Sequence, residues 1–218
     1  MNTPSNSLVF VIDDDASVRK GLSRLLRSAG YKSEIFASAA EFLARPLYGG
    51  PSCVIVDVQM PGLNGMELQE DLIRRRRDEQ LVFITGHGDI PMCAQAMKAG
   101  AVDFLRKPFR DGELLQCVQN ALIRSAEQRS RSAEKDEARR LFDLLTPREF
   151  EVMQLVITGM LNKQIAGELG TAEKTVKVHR GRVMEKVGVT SVAGLVRLVQ
   201  RAQLESKVRP RTHLINRE

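Results

Sequence analysis

The chain has 218 residues, of which 43% are hydrophobic and 28% are charged, so it is long enough for two globular domains. The N-terminal "MNTPSNS" is unlike a signal peptide, and no apolar run reaches the ~20 residues of a membrane helix, which argues against secreted and membrane-spanning classes. Cys53, Cys93 and Cys117 lack metal-binding spacing, so we expect reduced thiols in a cytoplasmic protein.

The net charge of +6 is unevenly distributed along the chain. Residues 1–143 contain 20 basic and 20 acidic side chains, whereas residues 144–218 contain 13 basic and 7 acidic ones. A basic C-terminal third indicates a polyanionic partner, most often nucleic acid. A solvated basic surface without a partner is the alternative.

The first 120 residues alternate short apolar runs with amphipathic stretches. The runs predict strands at 8–12, 32–36, 53–57, 81–85 and 102–106, and the stretches predict helices at 17–29, 38–43, 66–75 and 90–99, with a fifth beginning near Asp111. Near-continuous apolar strands joined by helices indicate a parallel sheet covered on both faces. Ligands of such doubly wound α/β domains bind beyond the carboxyl ends of the strands.

The remainder of the chain is predicted to be helical. Residues 124–140 are charged and free of Pro and Gly, which indicates either a solvated extension of the fifth helix or a separate linker helix. Thr146, Pro147 and Glu149 form a capping-box signature, and four helices follow at 147–158, 163–169, 172–186 and 191–202. We therefore predict an α/β domain at 7–124, a helical linker at 125–143, an all-α four-helix domain at 144–204 and a disordered tail at 205–218.

Side chains suited to phosphoryl chemistry end or follow four of the predicted strands. Asp13 and Asp14 follow the first, Asp57 ends the third, Thr85 ends the fourth and Lys107 follows the fifth. In a parallel sheet these ends meet at one edge, where crowded carboxylates raise one another's pKa unless a cation neutralises them. Mg²⁺ suits a site with a few carboxylate ligands and a shared phosphoryl group. We expect one aspartate to act as a nucleophile, with Lys107 and Thr85 contacting phosphate oxygens.

A simpler interpretation is open for each part of this set. An aspartate at a strand-to-helix turn is often a helix N-cap, and Asp15 fits that role. Lys107 taken alone is an ordinary surface lysine. The "NG" at 64–65 indicates either a hairpin turn or the end of a β-to-α loop, and the helical pattern that follows favours the loop. A phosphohydrolase is disfavoured because its "DxDxT" motif is absent, whereas an unphosphorylated receiver fold that senses a small molecule or partner stays open.

Residues 8–125 resemble the receiver domain of response regulators in four motifs, "VIDDD", "VDVQMPGLNG", "FITGHGDIPMCAQAMKAGAVDF" and "LRKPF". The resemblance implies a flavodoxin-like fold with five parallel strands in the order 2-1-3-4-5 and a cis Lys107–Pro108 bond. It also implies phosphorylation of Asp57, phosphate contacts from Thr85 and Lys107, and a switch formed by Thr85 and Phe104. The implied Mg²⁺ ligands are Asp13, Asp14, Asp57 and the main-chain carbonyl of Gln59.

The basic third contains the pattern of a helix-turn-helix, with Gly170 in the turn. On the second helix Val176, Val183 and Val187 share a face that we expect to pack inward, and we interpret His179 beside them as a packed structural residue rather than a ligand. The opposite face is basic, lightly apolar and uncluttered, which suits phosphates, base edges and a thymine methyl, and it consists of Lys174, Lys177, Val178, Gly181 and Arg182.

Residues 144–202 resemble the LuxR-type helix-turn-helix of the NarL/FixJ family through "LTPRE", "NKQIAGELG" and "TVKVHRGRVMEKV". The resemblance implies base contacts from Lys177, Val178 and position 181, which here is Gly181. Lys174, Thr175, Arg180 and Arg182 complete the predicted DNA surface. A mid-helix glycine costs ~1 kcal/mol, and we hypothesise that close approach of its backbone to DNA compensates for this cost.

Together the two resemblances imply a two-component response regulator rather than an enzyme with its own turnover. A sensor histidine kinase would phosphorylate Asp57, and a homodimer would then form and bind palindromic promoter DNA. The dimer contacts implied by the resemblance are Ala94, Lys98, Asp103 and Phe104. "HGDIPM" and "MKAGAVDF" place the chain nearest the FixJ branch, which implies an activator with RNA polymerase as a further partner. Release of the DNA-binding domain from the receiver is the competing route of activation.

Overall fold

The structure, a computed structural model, describes residue 4 and residues 6–86 and 90–204. The chain forms two compact units, Met1–Ser130 and Arg131–Glu218. The predicted disordered tail, 205–218, lies outside the described residues. Within the described ranges, no helix is both long enough and apolar enough to cross a membrane.

Strands and helices alternate through the first unit as predicted. The strands are β1 (Leu8–Ile12), β2 (Lys32–Phe36), β3 (Ser52–Asp57), β4 (Gln80–Thr85) and β5 (Asp103–Arg106), and the helices are α1 (Ala16–Ser28), α2 (Ala39–Ala44), α3 (Gly65–Arg74), α4 (Ile90–Lys98) and α5 (Asp111–Asp143). Neighbouring strands are parallel and their order is β2-β1-β3-β4-β5. This order confirms the predicted flavodoxin-like sheet.

The sheet is covered on both faces because its strands are apolar on both sides. In β1, Phe10 and Ile12 pack with α2, α3 and α4, whereas Val9 and Val11 pack with α1 and α5. The strand order reverses between β1 and β3. The carboxyl ends of these two strands therefore border the crevice in which ligands of such sheets bind.

A buried ion cluster lies within the first unit. Glu79 pairs with Arg45 at 2.9 Å and also with Arg77, and the three side chains are each at most 8% exposed. The Arg45 guanidinium also lies 3.8 Å from the centre of the Phe10 ring, a cation–π contact. Glu79 therefore neutralises positive charge that the fold has taken out of water.

The second unit is helical, with α6 (Pro147–Ile157), α7 (Asn162–Glu168), α8 (Glu173–Lys186) and α9 (Val192–Ala202) close to the predicted positions. The Thr146 hydroxyl accepts a hydrogen bond from the Glu149 N–H, and the Glu149 carboxylate accepts one from the Thr146 N–H. These bonds confirm the predicted capping box at the start of α6.

Helix α5 is continuous to Asp143, which confirms an extension of the fifth helix rather than a separate linker helix. Contrary to our expectation, the extension is not wholly solvated, because Ala138 and Phe142 are 1% and 5% exposed in the core of the second unit. These residues are four apart and share one helical face. The division between the units, after Ser130, falls inside the predicted linker, 125–143.

Candidate phosphorylation site and nucleic-acid interface

Three carboxylates meet at the carboxyl-end edge of the sheet. Asp13 directly follows β1 and Asp57 ends the neighbouring β3. Oxygens of Asp13, Asp14 and Asp57 lie within 4.8 Å of one another. Asp13 and Asp57 are 1% and 8% exposed, whereas Asp14 is exposed. The cluster is therefore anchored in the sheet and open to solvent at one acid.

The neighbouring residues Asp13 and Asp15 have different roles, one in the carboxylate cluster and the other at the start of α1. Asp15 caps α1 by accepting a hydrogen bond from the Ser17 N–H at 2.7 Å, which confirms the capping role expected for it. The Asp15 N–H in turn donates to Asp13 Oδ1 at 2.9 Å, and Arg19 Nη1 donates to the Asp13 carbonyl at 2.6 Å. The turn into α1 thus fixes the orientation of Asp13.

The loop after β3 fixes Asp57 from the other side. The Gln59 N–H donates to Asp57 Oδ1 at 3.0 Å. Gly65, the first residue of α3, has no room for a side chain, because a Cβ atom there would lie 2.5 Å from the Asp57 carbonyl oxygen. Sequence reasoning placed "NG" correctly at the end of this loop but missed the structural need for Gly65. The capping box of Asn64 with Glu67 was the signal for the start of α3.

Lys107 joins the two buried acids. Its Nζ donates to Asp13 Oδ2 and to Asp57 Oδ2, both at 2.7 Å, and its N–H donates to the Thr85 carbonyl at 2.7 Å. Burial acts to lower the pKa of Lys107, but the bonds to both acids outweigh it and raise that pKa. Burial raises the pKa of Asp13 despite its bond from Lys107. The Lys107–Pro108 bond is cis, as the resemblance implied.

The donor set at this edge fits a hard divalent cation. Asp13, Asp14 and Asp57 offer carboxylate oxygens, the ligands that Mg²⁺ prefers, and a single lysine leaves their combined negative charge incompletely balanced. The exposed Asp14 provides an approach from solvent. A metal contact from the main-chain carbonyl of Gln59 stays a prediction.

Helix α8 of the second unit presents two unlike faces. Val176, Val183 and Val187 are at most 3% exposed in the core, as predicted. The opposite face is exposed and carries six of the predicted DNA contacts, Lys174, Thr175, Lys177, Val178, Gly181 and Arg182. No side chain caps the N-terminus of α8 at Ala172. Its first N–H groups and the basic face are suited to phosphate oxygens.

Arg180, the seventh predicted contact, lies apart from that face. It is half-buried, and its Nη1 donates to Asn162 Oδ1 of α7 at 3.1 Å. Sequence reasoning missed Asn162, and the seventeen residues between them gave no local signal of this pairing. His179 is also half-buried, and its buried Nδ1 has no hydrogen-bond partner among the described residues, in keeping with a packed role.

Comparison with known proteins covers both units. Residues 9–119 match the family model described as "Response regulator receiver domain", and residues 143–199 match "Bacterial regulatory proteins, luxR family". The chain is 47% identical over 194 residues to "Nodulation protein W" of Bradyrhizobium diazoefficiens, which covers 89% of this chain and 86% of that protein. The chain belongs to the NarL/FixJ family of response regulators.

Two solved structures of related regulators are similar to this chain. The structure of the response regulator StyR has a TM-score of 0.78 at 50% identity, covering 89% of this chain and 98% of that chain. Full-length FixJ from B. japonicum has a TM-score of 0.56 at 39% identity, covering 91% of this chain and 98% of that chain. This NarL/FixJ-family regulator therefore combines a receiver with a LuxR-type DNA-binding domain, as a two-component regulator of transcription.

The predicted switch and dimer residues of this NarL/FixJ-family protein lie on β4, β5 and α4 of the receiver. Thr85 ends β4 and is fully buried, while Phe104 on β5 is half-buried, 6.1 Å from the Phe83 ring between centroids. Asp103 Oδ1 accepts the Phe104 N–H at 2.8 Å, and its Oδ2 accepts from Cys117 Sγ at 3.0 Å. The remaining predicted dimer residues, Ala94 and Lys98, are exposed on α4.

Helix α8 of the LuxR-type domain is fastened to α6 by an ion pair. Lys186 Nζ donates to Glu149 Oε2 at 2.6 Å and to the Leu144 carbonyl at 3.1 Å. The bond from Lys186, helped by the Thr146 N–H, lowers the pKa of Glu149 to about 2. Glu149 therefore takes part in the α6 capping box and also helps to fix the position of α8.

Proposed function

We propose that a sensor histidine kinase transfers a phosphoryl group to Asp57 and that the phosphorylated chain, as a homodimer on promoter DNA, activates transcription. Lys107 supports the acceptor role most directly, because its ammonium group donates to the carboxylates of both Asp57 and Asp13 at 2.7 Å. A cation held beside Asp57 lies where an added phosphoryl group carries its negative charge.

In the proposed reaction a carboxylate oxygen of Asp57 bonds to phosphorus as the phosphorus–nitrogen bond of the kinase's phosphohistidine breaks. Asp13, Asp14, Asp57 and the main-chain carbonyl of Gln59 would hold Mg²⁺, which supplies positive charge to the phosphoryl oxygens when bound. Lys107, kept protonated by its raised pKa, would pair with one phosphoryl oxygen. The Thr85 hydroxyl would donate a hydrogen bond to another phosphoryl oxygen.

The added charge is expected to change the surface of α4 and β5. An aspartyl phosphate carries about two negative charges where the free carboxylate carried one, and it lies beside Lys107, whose N–H is bonded to the Thr85 carbonyl. Movement of these two residues toward the phosphate would repack Phe104 on β5. We expect the repacked surface, which includes Ala94, Lys98, Asp103 and Phe104, to form a two-fold dimer. Release of the DNA-binding domain is the competing route.

The exposed face of α8 supports binding in the major groove. Lys174, Lys177 and Arg182 supply charge for phosphates and base acceptors, and Val178 supplies an apolar contact. The dimer would place two α8 helices on half-sites one or more helical turns apart. Thr175 would contact the DNA sugar–phosphate backbone at the rim of this face, and Arg180 would contact it from beside the face. RNA polymerase is the proposed further partner in activation.

Intact-protein mass after incubation with acetyl phosphate and magnesium tests the acceptor. We expect a phosphate-sized gain in the wild type and none in Asp57→Asn. Asp15→Asn is the matched control, because Asp15 caps α1 outside the carboxylate cluster and asparagine is an equally good N-cap. A wild type that gains no mass would contradict phosphorylation and leave a receiver that works without it.

Light scattering of the phosphorylated and unphosphorylated chain tests the dimer. We expect the phosphorylated form to have twice the mass of the unphosphorylated one, and a persistent monomer would reject dimerisation in favour of domain release. Transcription with purified RNA polymerase from a bound promoter then distinguishes activation, in which transcript rises with phosphorylation, from repression, in which it falls.

A further inference from the structure

Gly181 is a glycine that the fold does not require. It lies in the interior of α8, is exposed, and its φ is outside the left-handed region. A Cβ atom built on it would have no heavy atom within 4 Å. Neither the backbone conformation nor the packing of the described residues therefore excludes a side chain at this position.

The surroundings of Gly65 differ from those of Gly181. At Gly65 a Cβ atom would collide with the Asp57 carbonyl, so the fold itself demands glycine there. At Gly181 every other residue except proline would form the helix better. Gly21 inside α1 is equally unobstructed, so Gly181 is set apart by its position on the exposed face of α8 among the predicted DNA contacts.

The missing side chain of Gly181 leaves open space next to Val178 on the surface of α8, and we call this space the recess. Val178 precedes it by three residues, so the two positions are neighbours on the helix surface. Val178 is 47% exposed, although valine is normally a buried residue. Lys174, Lys177 and Arg182 surround the pair on the same exposed face.

The chemistry of this recess selects among the groups of the major groove. Neither Val178 nor Gly181 has a side-chain donor or acceptor, and their main-chain groups lie within a helix. They therefore match the one apolar group in the groove, the C5-methyl of thymine. We propose that Gly181 is a specificity-determining residue, leaving beside Val178 a recess that seats a thymine methyl. This inference rests on the proposed binding of DNA by α8.

Selection from a random double-stranded DNA library tests the inference, using the full-length chain with and without acetyl phosphate. We expect the wild type to enrich a motif with a fixed thymine. Gly181→Ala, which fills the recess with a methyl group, is expected to bind the wild-type motif about tenfold more weakly or worse, because a lost base contact has that magnitude. Its affinity for a scrambled duplex should be unchanged.

Replacing single thymines of the motif by deoxyuridine locates the contact. At one position the loss of the methyl should weaken the wild type about fourfold, the effect expected for one buried methyl group. Gly181→Ala should be insensitive to the same replacement, because its recess is already filled. Equal sensitivity of both proteins at every thymine would overturn the inference, and so would a Gly181→Ala variant that keeps both the motif and the affinity.

Gly21→Ala is the matched control. Gly21 lies inside α1 of the receiver, is exposed, and also has no heavy atom within 4 Å of a Cβ atom. Both alanine variants should unfold at or above the wild-type temperature, which excludes misfolding as the cause of a change in binding. If the wild type enriches no motif in either state, the proposed DNA binding fails, and the thymine contact fails with it.

Discussion

We predict that the DNA-binding domain is stable only when it includes the end of α5 that carries Phe142. Phe142 is 5% exposed in the core of the second unit, and removing such a side chain costs about 3–5 kcal/mol. That is a large part of the ~5–15 kcal/mol that stabilises a typical domain. A fragment comprising residues 131–204 should therefore fold cooperatively, whereas one comprising residues 144–204, which lacks Ala138 and Phe142, should be largely unfolded.

Urea denaturation followed by circular dichroism measures this difference. Within fragment 131–204, Phe142→Ala should lower the urea midpoint by about 2 M, given a typical slope of ~1–3 kcal/mol per molar. Arg140→Ala is the control, because its side chain is 78% exposed and surface substitutions change stability by about 0.5 kcal/mol or less. If the two variants unfold at the same urea concentration, or the shorter fragment is as stable as the longer one, the packing of α5 in this core is refuted.

Three further predictions concern charge and thiols. The contribution of Glu149 to stability should be full above pH 4.5 and be lost as the pH falls toward about 2, because its pKa drops from 4.5 to about 2 on folding; thermal unfolding of Glu149→Gln should therefore depend less on pH across this window. Iodoacetamide at neutral pH should alkylate the half-buried Cys93 before Cys53 and Cys117, whose burial raises their thiol pKa, and peptide masses will report the order. Glu79→Gln should lower the free energy of unfolding of the receiver, measured by urea denaturation, by about 3–5 kcal/mol, because Arg45 and Arg77 would stay buried without a carboxylate to pair with.

Each of these predictions has a control within the chain. Glu151→Gln, at an ion pair whose acid is 54% exposed, should keep the wild-type pH dependence, and a matching loss there would contradict the role of Glu149. Denatured protein should be alkylated at all three cysteines at similar rates. Glu137→Gln, at a pair that is 66% exposed on the acid, should be nearly neutral, and an equally small effect of Glu79→Gln would count against the buried cluster.

The carboxylate cluster could be predicted because sheet topology carries most of the information. Once the strands ending before Asp13 and at Asp57 are identified as parallel, their carboxyl ends must meet, and strand identity follows from short apolar runs. The same reasoning explains why Lys107 and Thr85 arrive at that edge. These placements depend on the order of strands and hardly at all on side-chain detail.

The features that were missed depend on how particular elements cross. The bond from Arg180 to Asn162 requires the packing of α7 against α8, which no periodicity encodes. The buried face of the α5 extension consists of Ala138 and Phe142 among many charges, so composition indicated a solvated helix. Gly65 is required by the approach of α3 to one carbonyl oxygen, a distance that the sequence does not carry.

The open space around two helical glycines has a consequence for engineering this regulator. Gly21 and Gly181 are both exposed and unobstructed, so a campaign that optimised thermal stability would replace each with alanine for a gain of about 1 kcal/mol. At Gly21 we expect that gain without loss of function. At Gly181 we expect a more heat-stable protein whose preference for its own promoters is weakened about tenfold or more, so thermal stability and DNA specificity favour different residues at one position of a single helix.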